Sequence, residues 1–444
     1  MTSTNVPQIS RRLPPLSGLL DDTLDQAVRT RRRRIMMADK PSLNLNALRV
    51  PDMALDRLLH TVALYGADAA RQLDVRIGEL TGAAKEAAVF LRIALAVQTL
   101  DVALFELAAR HAQEFARAVR EAYWFYPIPS GPFSDHSGHI IDLFEKSAGS
   151  PTLRLIAIEL AGRRDVKALR LPIEALLDDP QYAAHVHVAL SCMGAATQAT
   201  RRYAQEALAT GEATACMAAM ALIAVDPRIA DASLLQDALK ADPARVGAAW
   251  AIATCRDPRG LYQQAVARAD VPTELRYRIT ALAGYVDGII AACGEMATSD
   301  GPVTAAQADV LELALGGVPV EARCEPNVPA DKSRALRALL LRACRRSHIP
   351  VCNDADMGPW DVQGILAKPE QAGTIRLRNG LPLGAEAPAL GRAVLEVTHA
   401  LRQWLFIERA TIAQHALSLS AFDTARRQEL AMMVGEYVDD IRAP

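Results

Sequence analysis

The feature that most constrains this chain is a comb of aliphatic anchors with a period of about thirty residues. Leu160, Leu190, Leu222, Ile252 and Leu282 follow one another at intervals of 30, 32, 30 and 30 residues. Each stands near the end of an Ala-rich stretch, and Asp165, Asp226, Asp257 and Asp287 follow four of the five within five residues. Self-similarity at this period marks a stacked-repeat architecture, in which each unit buries its apolar face against its neighbours. The comb therefore predicts an all-α fold, a right-handed α-solenoid of helix pairs. A solenoid offers a long concave surface, which shifts the expected function from catalysis toward binding.

Composition supports helices over sheets. Of the 444 residues 51 % are apolar but only 5 % aromatic, so the core must be built from Ala, Leu, Val and Ile. Ala packs helices closely and has the best helix propensity, whereas sandwiches and barrels favour β-branched and aromatic strands. The formal charge of −2 lacks the basic excess of a nucleic-acid-binding domain. Residues 1–20 contain no apolar core of a signal peptide. The most apolar stretch, 87–109, is interrupted by Arg92, Gln98, Asp101 and Glu106 and reads as two core helices, so no membrane partner is expected. Seven cysteines, several inside apolar helices (Cys192, Cys216, Cys255), argue against a disulfide framework and for a reducing, cytoplasmic setting.

Five segments are expected. Residues 1–50 read as a flexible basic arm, with nine Lys/Arg against four Asp and the run Arg31-Arg32-Arg33-Arg34 preceded by Arg29. Such a run can meet nucleic acid or an acidic partner, but a solvated arm is the simpler reading. Residues 51–150 form atypical helical repeats. A first helix carries Leu55, Leu58, Leu59, Val62 and Leu64, a helix pair breaks near Asp101, and a further helix covers 113–123. Residues 151–300 form the regular array. Its first helices lie near 152–162, 181–193, 212–225, 243–255 and 273–285, and its second helices near 166–178, 198–210, 228–240, 259–269 and 287–297. Pro151, Pro180, Pro243 and Pro272 mark helix starts, where a missing N–H costs little, and Asp179, Asp242 and Asp257 can serve as N-caps. Pro172 should kink its helix or delay its start. Residues 301–385 are an irregular insert with helices near 304–316 and 331–346, and 386–444 form a helical C-terminal cap.

Fingerprints of chemistry are sparse. No GxSxG, P-loop, HExxH or GxGxxG motif occurs, and no His-Glu dipeptide, which counts against a di-iron helical-repeat hydroxylase. Two segments offer a metal-dependent enzyme as an alternative. The first is Asp135, His136 and His139, within 134–139. The second is Cys344, His348 and Cys352, within 344–352, with Asp354 and Asp356 beyond and Cys324 upstream. Zinc needs four converging donors and this spacing matches no paired CxxC pattern, so neither metal nor cofactor is assigned. His185 and His187, two apart on a helix, do not share a face.

Binding candidates are stronger. Tyr123, Trp124, Phe125, Tyr126 and Phe133 form the densest aromatic cluster and could present anchors to a protein partner, although rings plugging the interior account for them more simply. The second helices of the array offer Arg170, Arg201, Arg202, Gln236, Gln263 and Gln264, a mixed ridge suited to a protein surface or to solvent.

The helix-turn-helix units over roughly 85–300 resemble HEAT-like repeats of the short bacterial type. Asp56-Arg57-Leu58-Leu59-His60 with Gly66-Ala67, Arg376-Leu377-Arg378-Asn379-Gly380-Leu381-Pro382-Leu383, and Arg402-Gln403-Trp404-Leu405-Phe406-Ile407-Glu408-Arg409-Ala410 resemble segments of an uncharacterised bacterial HEAT-like family. Members are often encoded beside type VI secretion effector and spike genes. The resemblance implies a scaffold or adaptor whose partner is a secreted effector or spike component, and it carries no catalytic residues over. The Arg-rich arm, the aromatic loop and the 318–360 insert depart from the family's pattern.

Overall fold

The computed structural model describes residues 17–38, 44–99, 101–125, 137–195, 197–200, 272–323, 329–353 and 358–383, with single positions among 202–267 and 397–428. The described residues are predominantly helical, with one short antiparallel hairpin. The chain forms two compact units, Met1–Lys40 with Ala47–Leu169, and Pro41–Asn46 with Arg170–Pro444.

The first unit is built on α1 (Ser17–Ala38), α2 (Leu45–Tyr65), α3 (Ala67–Glu79), α4 (Gly82–Thr99), α5 (Leu104–Phe125), α6 (Ser137–Lys146) and α7 (Pro151–Arg163). Every residue from Ala87 to Val97 is buried. A helix apolar on all sides belongs at the centre, and α1, α3 and α5 pack around α4. The break near Asp101 is as the sequence predicts: its carboxylate accepts the Ala103 N–H at 3.0 Å and pairs with Arg92 at 3.4 Å. The helices on either side of Gln113 are one run, bent where Phe115 leaves helical geometry (φ −129°, ψ 48°).

The flexible arm is corrected over 17–38. That stretch is a 22-residue helix whose inner stripe is Leu20, Leu24, Ala27, Val28, Arg31, Arg34, Ile35 and Ala38. The helical period divides the arginine run. Arg32 and Arg33 face solvent, whereas Arg31 and Arg34 are 0 % exposed. Arg31 donates to Glu121 at 2.5 Å and lies 3.9 Å from the Phe90 ring centroid, and Arg34 donates to Asp52 at 2.5 Å. Burial alone would raise the Glu121 carboxyl, but Arg31, Arg34 and Arg117 hold it down at about 2.

In the comb, Leu160 and Leu190 are buried and Leu282 is half-buried against the second unit's core. Leu222 and Ile252 lie outside the described residues. Pro151 opens α7 and Pro272 caps the helix after it, as expected. The second helix expected at 166–178 is shorter. A 3₁₀ turn (Lys167–Leu169) leads into α8 (Arg170–Glu174), because Pro172 lacks an N–H and its ring crowds the carbonyl four residues back.

The second unit continues with α9 (Ala183–Cys192), α10 (Thr273–Ala283), α11 (Val286–Thr298) and α12 (Ala305–Val310), the last passing into a π-helical turn (Leu311–Leu315). Then follow α13 (Val320–Arg323), α14 (Pro329–Arg346), α15 (Val362–Ile365) and the hairpin β1 (Leu377–Arg378)–β2 (Leu381–Pro382). Thr304 and Gln307 form a capping box that starts α12. The core gathers Ile289, Ile290 and Met296 of α11, Leu313 and Leu315 of the π turn, Leu336 and Leu340 of α14, and Leu377 of β1. Of residues 386–444, expected to form a cap, Val397, Arg402, Leu405, Ala425 and Gln428 are described and buried.

Glu121→Gln is expected to destabilise the first unit by about 3 kcal/mol, because it strips a carboxylate from buried guanidiniums. Urea unfolding at pH 7 reads this directly. The native contribution of Glu121 is complete above about pH 4.5 and is lost as pH falls toward about 2. The gap between wild type and variant should therefore narrow on acidification.

Candidate functional site

Of the aromatic cluster expected to meet a partner, Tyr123 and Trp124 are turned inward. Tyr123 and Trp124 are 7 % and 5 % exposed at the end of α5. Burial, then the nearby Asp142, raises the Tyr123 phenol well above its ordinary value. The Trp124 ring is contacted by two cations, Arg163 at 5.1 Å and Arg164 at 4.9 Å, and Arg164 also donates to the Trp124 carbonyl at 3.2 Å. Neither ring is a surface anchor: both plug the first unit, the simpler alternative. The Phe125 side chain, Tyr126, Phe133, Asp135 and His136 lie outside the described residues, and His139 is half-buried.

Of the ridge, Arg170, Arg202 and Gln263 are exposed, while Arg201, Gln236 and Gln264 are not described. His187 is buried, stacks on Tyr203 at 4.3 Å, and is pushed down to about 4 by burial, so it is a neutral core histidine near neutral pH.

The 344–352 segment divides between core and surface. Cys344 is fully buried at the end of α14, where burial pushes its thiol up to about 11. His348 is exposed with φ 55°, and the half-buried Cys352 directs its thiol to the Gln363 carbonyl at 3.7 Å. A thiol held protonated in an apolar core is a poor zinc ligand. Among the described residues no three His, Cys, Asp or Glu side chains come together to hold a metal ion. Asp354, Asp356 and Cys324 lie outside them.

Two arrangements were missed. The first is a row on α2. Val50, Met53, Arg57, His60 and Leu64 are all exposed, the three apolar side chains at 75 %, 56 % and 52 %. Their spacing of 3, 4, 3 and 4 puts them on one helix stripe. Of the apolar face read in the sequence, Leu55, Leu59 and Val62 form the opposite, buried side and Leu58 is half-buried, whereas Leu64 belongs to the exposed row.

The second is the Arg376–Pro382 hairpin. Asn379 and Gly380 have φ 54° and 67°, the left-handed pair that a two-residue type I′ turn requires. Asn-Gly between strand residues was the available signal. The hairpin lies across two helix ends. Arg376 donates to the carbonyls of Ala283 (2.6 Å) and Leu282 (3.3 Å), and Arg378, 0 % exposed, to those of Ala281 and Leu282 (both 2.7 Å). At the turn, the Asn379 and Gly380 N–H groups donate to Leu313 and Ala314 carbonyls of the π turn, both at 2.8 Å. Arg376 and Arg259 also approach the Tyr285 ring at 5.8 and 5.6 Å, and Arg259 pairs with Asp287 at 3.7 Å.

Beside the π turn, burial raises the Asp309 carboxyl to about 6 against the pull of Arg278, 3.5 Å away, with Glu312 adding to the rise. A folded pKa above the unfolded one gives stability that is complete below about pH 4 and lost as pH rises through about 6. Asp309→Asn should therefore match wild type in melting temperature near pH 4 and exceed it increasingly toward pH 7. A constant difference across that range would rule out this titration.

No protein-family model, no curated protein and no solved structure matches the chain.

Proposed function

We propose that this chain is a protein-binding scaffold or adaptor, in which helix pairs of HEAT-like type stack into a right-handed solenoid with a helical C-terminal cap. The observation that carries the reading is the exposed row Val50, Met53 and Leu64 on α2, with Arg57 and His60 between them. Single exposed aliphatics are ordinary on protein surfaces. A row at 3–4 spacing is the seam into which an amphipathic helix lays its apolar side. The occupant we assign is a partner helix with a carboxylate opposite Arg57. On the second unit, exposed Arg170, Arg202 and Gln263 suit a broader polar contact. From the family resemblance, the partner is a secreted effector or spike component, and the role is that of an accessory or chaperone-like factor.

Of the arginines that support the nucleic-acid alternative, Arg31 and Arg34 are buried with carboxylates, which leaves Arg29, Arg32 and Arg33 for that role.

The test is co-expression of the full chain with each product of the adjacent genes, followed by affinity measurement on any complex isolated. Met53→Glu with Leu64→Glu should weaken binding about tenfold or more, since truncating a hot-spot side chain costs more than about 1 kcal/mol. If no neighbouring product binds, the adaptor reading is wrong. If one binds and the double variant binds equally well, the α2 row is not its seam.

A further inference from the structure

We infer that the Arg376–Pro382 hairpin is a two-state clasp, seated or released as one piece, which controls the C-terminal ends of α10 and of the π turn together. This inference stands apart from the adaptor reading and would hold if that reading failed.

The argument begins with the arginines. The Arg378 guanidinium is wholly buried, and its charge is met by the carbonyls of Ala281 and Leu282. Arg376 meets those of Leu282 and Ala283. Positive charge at a helix C-terminus is favoured by the helix dipole as well as by the hydrogen bonds. A hairpin drawn partway out would keep the Arg378 charge away from water while breaking its bonds. Intermediate positions are therefore the costly ones, and the stable positions are fully in or fully out.

Four backbone hydrogen bonds and one from a side-chain hydroxyl add the same condition. The Leu377 N–H donates to the Gly284 carbonyl at 2.7 Å, and the Val286 N–H to the Ile375 carbonyl at 3.1 Å. The turn residues satisfy two carbonyls at the end of the π turn, beyond which Gly316 (φ 79°) ends the helical run. Ser347, just past α14, donates its hydroxyl to the Gly380 carbonyl at 3.1 Å.

The fit leaves no room to slide. A Cβ on Gly284 would stand 2.6 Å from the Leu377 carbonyl oxygen, and one on Gly380 would stand 3.0 Å from that of Leu315. Release thus uncaps α10 and the π turn in a single event. A ligand or partner that seizes the irregular insert would be felt at both helix ends, which is how a locally unfolding unit transmits binding.

Hydrogen exchange on the full chain in rising, sub-denaturing urea tests this. Peptides covering 280–286, 313–317 and 376–383 should converge on one opening isotherm, below that of the buried middle of α11. Gly380→Val places a β-branched residue at a left-handed position and should speed exchange in all three peptides by the same factor, about tenfold. The clasp is refuted if the hairpin opens on an isotherm of its own, ahead of the two helix ends, or if the variant accelerates the hairpin alone. Should Gly380→Val not fold, the wild-type isotherms decide.

Discussion

A helix that ends inside a protein must find donors for its last carbonyls, and much of the second unit is arranged around that need. The donors come from far along the chain. Arg376 and Arg378 reach back 93 to 97 residues to the end of α10. Lys332, almost fully buried, turns its ammonium to the carbonyls of Ser299 (2.5 Å) and Gly301 (3.1 Å) just past α11. The π turn is closed by two turn amides. In each place a cation or an N–H from the irregular insert, or from the helix beside it, substitutes for water. The insert is therefore part of the framework, and Leu377, Ile365 and Leu366 belong to the same core as α11 and α14.

The first unit solves a different problem. Its central helix α4 is so apolar that its neighbours must supply continuous apolar stripes, and α1 does so with two arginines inside its stripe. Those charges are tolerable because Glu121 and Asp52 meet them and because Phe90 offers its ring face to Arg31. Arg92 repeats the device toward Asp74 and Asp101. Arg31 and Arg34 thereby tie α1 to α5 and α2, and Arg92 ties α4 to the partly exposed Asp74 of α3.

The helices were largely legible because their signals are local. Pro151, Pro272 and Asp101 mark ends that the structure reproduces, and the boundaries near 152–162, 273–285, 287–297 and 331–346 follow from apolar periodicity. The site was less legible. A run of four arginines looks like a solvated arm until it is placed on the stripe Leu20, Leu24, Ala27, where positions 31 and 34 continue the buried face. Tyr123 and Trp124 look like anchors because aromatics are scarce here, yet scarcity makes them equally valuable as core. The α2 row was hidden because the stronger apolar face of the same helix drew the reading. Arg376 and Arg378 carry no local sign that they cap a helix nearly a hundred residues earlier.

The pairing of Arg31 with Glu121 spans 90 residues of chain. During synthesis α1 leaves the ribosome with two cations on its inner stripe and no carboxylate from α5 to receive Arg31. Closing the first unit's interior must wait until α5 has emerged, even though α1 through α4 already hold most of its aliphatic surface. The helix α1 is thus made well before α5 and committed only once α5 has arrived.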